Sequence, residues 1–356
     1  MNKRSRKLLL LLLAVAIGVP SFLTFTGCSG KKEAEGNVNA DMASYITPDA
    51  VLAGVFYPKR VLENPDLSFL PIKDKMKEAV EETGINPKDI ESAVLVVQSF
   101  PDPEDRRSEP KLGFVLRMTK PYKLDQLKGH IVKHAKKSTY EGRPSLVSKR
   151  KSDPTIYMPD DHTLILATPS TLDAMVANHK DPKKGRVREL LDSIDPSSDG
   201  AIVVDMKPLR PQIAPMTQSP KTPENLKRLP KLVDFIRVQG KALDNPLLTV
   251  DLVTGNAKDA KEVKETTQSL IDFAQGLMGL ALMQGGGPEG NQEAMQQMQE
   301  LSTILQKNLK STVDGNTATL TLTLPREKQI ELLKKAKEKA MAPPKYSKPA
   351  PADFNF

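Results

Sequence analysis

The chain contains one cysteine, Cys28, among 356 residues, and this count limits how its fold can be stabilised. A single cysteine cannot form a disulfide within the chain, and once it is modified no thiolate remains to bind a metal or to act as a nucleophile. The fold must therefore rest on side-chain packing. From Cys28 onward the chain is long enough for two domains of ordinary size, each with its own hydrophobic core.

Residues 1–27 have the composition of a secretory signal peptide. An apolar run from Leu8 to Val19 follows four basic residues, and small residues lead up to the cysteine. The run is shorter than the roughly 20 residues that cross a bilayer. We therefore predict that the leader is a signal peptide that is removed. The alternative is an uncleaved helix that continues past Pro20.

The last four residues of this region, Phe25-Thr26-Gly27-Cys28, resemble the lipobox of bacterial lipoproteins. In that family the leader is cut before the cysteine, and the thiol then carries a diacylglyceryl group. The resemblance implies that Cys28 is the lipidation site and that its acyl chains hold the protein on a membrane. Ser29 stands where the best-known sorting system has Asp for retention at the inner membrane. The resemblance thus implies the periplasmic face of the outer membrane.

The composition changes at both ends of the remaining chain. Residues 28–44 are poor in large apolar side chains, which predicts a flexible tether, and residues 343–356 contain four prolines, which predicts an extended tail. The leader carries four of the eight net positive charges. The mature chain therefore has only a mild positive excess, and the sequence does not indicate a nucleic-acid-binding protein.

Residues 45–182 read as a first α+β unit. Apolar residues at helical spacing predict a helix from Ile72 to Thr83, which Gly84 ends. Strands at Ser92–Phe100 and Leu112–Met118 form a hairpin, and a helix is predicted over Lys123–Lys137. Three short strands and a helix that opens near Pro169 complete the unit; the strands are predicted at Pro144–Ser148, Thr155–Met158 and Thr163–Ala167.

Residues 183–342 repeat this order of elements. The strand of residues 199–209 runs into Pro208 as the strand of residues 49–58 runs into Pro58, and a hairpin and a long helix follow. We therefore predict an α+β fold of two tandem units, each an antiparallel sheet with helices packed on one face. The units are either a duplication or similar by element order alone, since such an order also recurs by chance.

One insertion distinguishes the second unit. Three consecutive glycines at residues 285–287 separate two apolar helical segments, which predicts a helical hairpin. Its first arm has apolar side chains on more than one side of the helix, more than one buried face requires. These side chains either pack in the core or form a surface for a partner or lipid; they are Leu277, Met278, Leu280 and Met283.

No sequence motif indicates catalysis or a metal. His130 and His134 lie four residues apart on a predicted helix, but four lysines surround them and would repel a cation. Asp160, Asp161 and His162 resemble an acid–base cluster, although a hairpin turn between two strands explains them equally well. We predict no catalytic residue, no metal and no cofactor.

The chain also resembles uncharacterised bacterial lipoproteins whose mature part opens with a Pro-Asp-Ala strand and a proline-led helix. The matching residues here are Thr47-Pro48-Asp49-Ala50, Tyr57-Pro58-Lys59-Arg60-Val61-Leu62 and residues 84–91. This resemblance implies no activity and no functional site.

We expect a non-enzymatic, lipid-anchored envelope protein with a binding or scaffolding role. Its partners would be the membrane, through the Cys28 anchor, and another envelope protein. The alternative is a lipid-handling or hydrolytic lipoprotein. An apolar cavity between sheet and helices would favour lipid handling, and a buried polar cluster of strained geometry would favour hydrolysis.

Overall fold

A computed structural model describes residues 40–68, 72–101, 109–133, 135–148, 154–217, 224–267, 303–304 and 306–341. The described strands join in one antiparallel sheet of 12 strands, in the order β11-β12-β10-β9-β8-β1-β2-β3-β7-β6-β5-β4. The strands are β1 Leu52–Phe56, β2 Ile90–Ser99, β3 Lys111–Met118, β4 Ala135–Tyr140, β5 Arg143–Ser148, β6 Thr155–Tyr157, β7 Thr163–Ala167, β8 Gly200–Asp205, β9 Val233–Gly240, β10 Leu248–Thr254, β11 Leu309–Asp314 and β12 Thr317–Leu322.

Helices precede, connect and follow these strands. The α-helices are α1 Ala40–Ala43, α2 Pro58–Leu62, α3 Ile72–Thr83, α4 His130–Lys133, α5 Pro169–Lys180, α6 Arg186–Asp192, α7 Arg210–Thr217, α8 Glu224–Leu232 and α9 Arg326–Met341, and residues 257–267 and 306–308 are also helical. Short 3-10 helices lie at Pro65–Leu67, Pro87–Asp89 and Leu124–Gln126. The structure thus confirms the predicted α+β class with an antiparallel sheet.

The central strands are apolar on both sides of the sheet. Alternate residues of a strand point to opposite faces, and Val55, Val96 and Val115 belong to one buried cluster while Phe56, Leu95 and Leu116 belong to another. We name the face of Val55 the front face and that of Phe56 the back face. A sheet that is apolar on both faces needs a covering layer on each.

Both layers are present around the first seven strands. Side chains of α5 and α6, such as Met175 and Leu191, pack on the front face. Ile85, Tyr122 and Leu127, from the segments around α3 and α4, pack on the back face. The prediction of helices on one face is therefore wrong for this part of the chain, because its strands are apolar on both sides. Around the later strands the described helical residues pack on the back face, as Val263 and Leu229 do.

The strands of the two predicted units meet in the middle of the sheet. β1 pairs with β8 in antiparallel register, with Leu52 opposite Val204 and Phe56 opposite Gly200. The pairing satisfies backbone groups that would otherwise be exposed along two strand edges. A second junction joins Leu67 to Leu243 and Leu333. We predicted a separate sheet for each unit, whereas the structure has one continuous sheet.

Several predicted elements are found where the sequence placed them. Helix α3 spans Ile72–Thr83, and Gly84 follows it with φ of +77°. The hairpin of β2 and β3 and the strands β5, β6 and β7 are also present, with small shifts of their ends. Helix α5 buries Leu172, Met175 and Val176 as expected from their spacing.

The predicted helix over Lys123–Lys137 is wrong. A 3-10 turn, the one-turn helix α4 and strand β4 occupy this range. Gly129 has φ of +71°, outside the helical region, and a Cβ at this position would lie 2.0 Å from the carbonyl oxygen of Glu82. The close approach of α3 thus interrupts the helical pattern, and the residues after α4 instead pair with β5.

Replacing Gly129 with Ala is expected to lower the free energy of unfolding by about 2–4 kcal/mol, because positive φ and a backbone clash act together. Gly142→Ala is the matched control, since Gly142 has φ of +76° but open space around its Cβ position. We expect it to lose only the backbone strain, about 1–2 kcal/mol. Urea unfolding of both variants checks this. If both variants lost the same free energy of unfolding, the close approach to Glu82 would contribute nothing to the effect.

The folded body begins before the predicted boundary at residue 45. Met42 and Ala43 of α1 are each 1% exposed and pack against α5 and the front face. Residues 42–44 are therefore buried in the folded body and are not part of a tether, and Ala40 and Asp41 belong to helix α1. Two apolar side chains are too few to predict a core segment by themselves, and they are buried because they join the cluster formed by α5 and the front face. The rest of the predicted tether, residues 28–39, lies outside the described residues. The predicted tail, residues 343–356, also lies outside them.

Candidate functional site

The residues predicted to have a function fall outside the described part of the chain. This applies to the lipidation site Cys28 and its neighbour Gly27, and to the predicted partner surface of Leu277, Met278, Leu280 and Met283. These predictions therefore remain predictions.

The acidic cluster at residues 160–162 is a structural turn. It joins β6 to β7, and the Asp160 carboxylate accepts hydrogen bonds from the His162 backbone N–H at 2.7 Å and from Thr163 Oγ1 at 2.8 Å. Burial alone would raise the pKa of Asp160, but these hydrogen bonds and Arg117 hold it below its usual range. The interpretation as a hairpin turn is confirmed.

The segment that leads from the N-terminus into the sheet carries a polar cluster that the sequence did not indicate. We name it the N-terminal clasp and define it as Ser44, Tyr45, Asn178 and His179. Ser44 Oγ lies 2.5 Å from His179 Nδ1, and the rings of Tyr45 and His179 stack with centroids 4.2 Å apart. The cluster links α1, at the start of the described chain, to the C-terminal end of α5.

A serine, an imidazole and a carboxylate meet here, so nucleophilic catalysis has to be considered. The Ser44 hydroxyl lies 2.5 Å from the carbonyl oxygen of Asp41, which can only accept a hydrogen bond. The single hydroxyl hydrogen therefore goes to Asp41, and His179 Nδ1 must donate to Ser44. A catalytic base has to accept the serine proton instead. The carboxylate of Asp41 is 3.9 Å from His179 Nε2, beyond hydrogen-bond distance. This geometry fastens a segment and does not activate a nucleophile.

Asn178 completes the clasp from a buried position. Its side-chain amide nitrogen donates to the carbonyl oxygens of Ser44 at 2.8 Å and Ile46 at 2.9 Å, and its oxygen accepts from the Lys183 N–H at 3.1 Å. Burial, followed by the charge of Asp41, raises the pKa of Tyr45, so its hydroxyl stays neutral. One buried amide thus holds two otherwise unpaired carbonyl groups of the incoming chain.

Sequence reasoning missed the clasp because its halves lie 135 residues apart, as Ser44 and His179 do. Asn178 and His179 sit at the end of a helix whose apolar face was predicted, but no local pattern distinguishes a buried asparagine from a solvated one.

A shallow depression lies beside the junction of β1 and β8. Its empty volume is about 220 Å³, open solvent included, and Tyr57 and Ile194 are among its lining residues. Ligand pockets usually enclose about 300–1,000 Å³. Arg60 lies 3.9 Å above the Tyr57 ring and donates to the carbonyl oxygens of Pro196 and Ser198. The depression is therefore a small seam between two segments that Arg60 joins, and it is too small for an acyl-chain pocket.

Two aspartates next to this seam have opposite pKa shifts. Burial raises the pKa of Asp199 above its ordinary value of 3.8, although the Ala242 N–H donates to it. Burial also acts on Asp195, but hydrogen bonds from Ser197 lower its pKa. A raised pKa favours the protonated carboxyl in the folded state. The contribution of the protonated Asp199 carboxyl to folding stability is thus present below pH 3.8. It is lost as the pH rises through the pKa that Asp199 has in the folded state.

Replacing Asp199 with Asn is expected to stabilise the protein at pH 7, because the amide is neutral and still accepts the Ala242 N–H. The gain should shrink as the pH falls toward 4. Asp195→Asn, the matched control, should destabilise at pH 7, since it loses a stabilised carboxylate. Thermal unfolding of both variants across this pH range is the measurement. A loss of stability at pH 7 in the Asp199 variant would contradict the burial argument.

The described residues contain neither a metal-binding cluster nor a membrane-spanning helix. No group of three or more His, Cys, Asp or Glu side chains in this part of the chain is placed to hold a metal ion. No helix in the same part is both long and apolar enough to span a bilayer.

Comparison with known proteins gives a distant structural likeness. No protein-family model and no curated protein matches the sequence. Crystal form III of TP0453 aligns with a TM-score of 0.41 and 10% identity over 83% of this chain and 97% of its own. Crystal form I of TP0453 aligns with a TM-score of 0.41 and 11% identity over 82% and 96% of the two chains. A TM-score at this level does not establish a common fold.

Proposed function

We propose that the protein is a lipid-anchored envelope protein with a non-catalytic binding or scaffolding role. The anchor would be acyl chains on Cys28, and the location the periplasmic face of the outer membrane. The lipobox-like residues before Cys28 and the secretory leader support this proposal. Two acyl chains bury enough methylene groups, at about 0.8 kcal/mol each, to hold a protein on a membrane stably.

The observation that carries the proposal is the N-terminal clasp. It fixes the start of the folded body, at α1, by a stack and several hydrogen bonds. Only 11 residues separate Cys28 from Ala40, and they extend at most about 40 Å. An anchored chain needs its tether joined firmly to the body, and the buried side chains of Met42 and Ala43 in α1 supply that attachment.

The test is mass spectrometry of the native protein together with membrane fractionation. We expect an N-terminal Cys28 that carries acyl groups, and Cys28→Ala should leave the leader uncleaved and the chain without acyl groups. Ser29→Ala is the matched control and should remain lipidated. A native chain with a free thiol would overturn the proposal. Release of a bound fatty acid from the folded domain would instead favour lipid handling.

We also propose that the two units are related by duplication. Counted outward from the central β1–β8 pair, β1-β2-β3-β7-β6 on one side corresponds to β8-β9-β10-β12-β11 on the other. The register of the β1–β8 pair supports this, because Ala53 lies opposite Val203. A two-fold axis between these two residues relates each residue of β1 to the residue of β8 that lies 150 positions later in the chain. Pro58 and Pro208, which follow β1 and β8, are also 150 apart.

An experimental structure would test the duplication by superposition of the two sets of five strands. Equivalent strands should superpose in the same register, with helices in equivalent positions after the first and third strands. A register that differs between the two sets would leave only a shared order of elements.

A further inference from the structure

A strongly basic region of the described surface lies at the edge of the sheet formed by β4. Residues 120–148 contain seven Lys or Arg and two Asp or Glu. Lys120 pairs with Asp89, and we name the other exposed basic residues of this region the basic edge. They are Lys123, Lys128, Lys133, Lys136, Lys137 and Arg143.

Most of this charge is not neutralised. Asp125 pairs with Lys137 at 2.5 Å, and Glu141 pairs with Lys180 at 2.5 Å, outside the basic edge. Among the described residues, the other five members of the basic edge have no acidic side chain within ion-pair distance. The opposite edge, β11, has one Lys and one Asp in its six residues. Positive charge is thus concentrated at one end of the sheet.

Protection of an edge strand explains only part of this charge. Lysines on an edge strand block pairing with other sheets, and Lys136 and Lys137 lie on β4. Lys123, Lys128 and Lys133 precede the strand, on and around the 3-10 turn and α4, and protect no strand edge. Their placement calls for another partner.

The N-terminal clasp lies at the same end of the molecule. His179 contacts Ser44 of the incoming chain, and the next residue, Lys180, pairs with Glu141 in the turn between β4 and β5. The first described residues, at the start of α1, therefore lie on the side of the body where the β4–β5 turn is. A tether of at most about 40 Å keeps this hairpin near whatever holds Cys28.

We propose that the basic edge docks on anionic lipid headgroups of the membrane that carries the anchor, and so sets the orientation of the body. This inference rests on the proposed function. Basic side chains are attracted to an anionic bilayer within about a Debye length, about 10 Å at 0.1 M salt. A tether of at most about 40 Å allows the basic edge to come within that range, and its five members without an ion pair among the described residues supply the attraction.

The experiment uses the lipidated chain in vesicles of phosphatidylcholine, with or without phosphatidylglycerol. Ser138→Cys places a fluorophore on exposed β4, and Thr312→Cys places one on exposed β11 at the opposite edge. Acylation leaves the introduced cysteine as the one free thiol. A quencher on the lipid headgroups reports which edge lies near the bilayer.

We expect the label at residue 138 to be quenched more than the label at residue 312 in anionic vesicles, and high salt to remove the difference. Lys133→Glu with Lys136→Glu should reduce quenching at residue 138 to the level at residue 312. Lys307→Glu with Lys310→Glu is the matched control near β11, and it should leave the quenching at residue 138 unchanged. Equal quenching at the two edges, or quenching unaffected by the first pair of substitutions, would overturn the proposal.

Failure of the anchor is recognised separately, by flotation with neutral vesicles, which needs the acyl chains but not the basic edge. If the chain lacks acyl groups, its flotation with anionic vesicles decides the proposal. Binding that the Lys133→Glu and Lys136→Glu variant loses supports docking on headgroups, and absence of binding overturns it. Binding to a soluble polyphosphate with none to anionic vesicles would also overturn it.

Discussion

Replacing Asp251 with Val is expected to lower the free energy of unfolding by about 3 kcal/mol. Asp251 is 3% exposed and lies on the front face of β10, between Arg237 of β9 and Thr319 of β12. Its carboxylate accepts from Arg237 Nε at 2.7 Å and from Thr319 Oγ1 at 2.6 Å. The substitution leaves the guanidinium partly buried with no counter-charge. Urea unfolding monitored by circular dichroism measures the loss.

A double-mutant cycle separates the ion pair from the effect of the substitution itself. Arg237→Met combined with Asp251→Val removes both charges, so we expect it to be more stable than Asp251→Val alone. The coupling energy should be about 1–3 kcal/mol. A double variant that loses the sum of the two single losses would show that the pair makes no specific contribution.

Replacing Asn178 with Ala is expected to cost about 2–4 kcal/mol and to loosen the start of the folded body. The substitution leaves the carbonyl groups of Ser44 and Ile46 without a partner in a buried place, and each such group costs about 1–3 kcal/mol. Hydrogen exchange should become faster at residues 44–46, whose amide groups donate within α1 and the turn after it.

Asn256→Ala is a suitable control for the Asn178 variant. Asn256 is exposed and caps the helix of residues 257–267 by accepting from the Asp259 N–H at 2.9 Å. We expect a loss of about 1 kcal/mol and no change in exchange at residues 44–46. Unchanged exchange there in the Asn178 variant would mean that the amide does not hold the incoming chain.

Local patterns in the sequence were sufficient where a single element determines its own structure. Helix α3 and its glycine stop follow from apolar spacing and from the conformational freedom of Gly84. The same kind of reasoning failed over residues 123–137, where the contact of Gly129 with α3 and the pairing of β4 with β5 override a helical pattern. Strand β11 was not predicted, because its alternating polar residues can be recognised as a strand only from their pairing with β12.

The candidate site was less accessible to sequence reasoning than the fold. The clasp joins residues 44 and 45 to residues 178 and 179, and each of these pairs is unremarkable in its own segment. The lysines of the basic edge are visible in the sequence, where several of them surround His130 and His134 on a predicted helix. Their position at one end of the sheet and beside the N-terminal segment became apparent only from the paired strands.

The sequence by itself determined the α+β class, most strands and helices, and the features that predict a leader and an anchor, because these depend on residues close together in the chain. Tertiary structure alone decided that β1 and β8 join the two halves in one sheet, that residues 42–44 are buried, and which polar side chains meet. Such contacts depend on the free energy of bringing distant segments together, and no local pattern records that quantity.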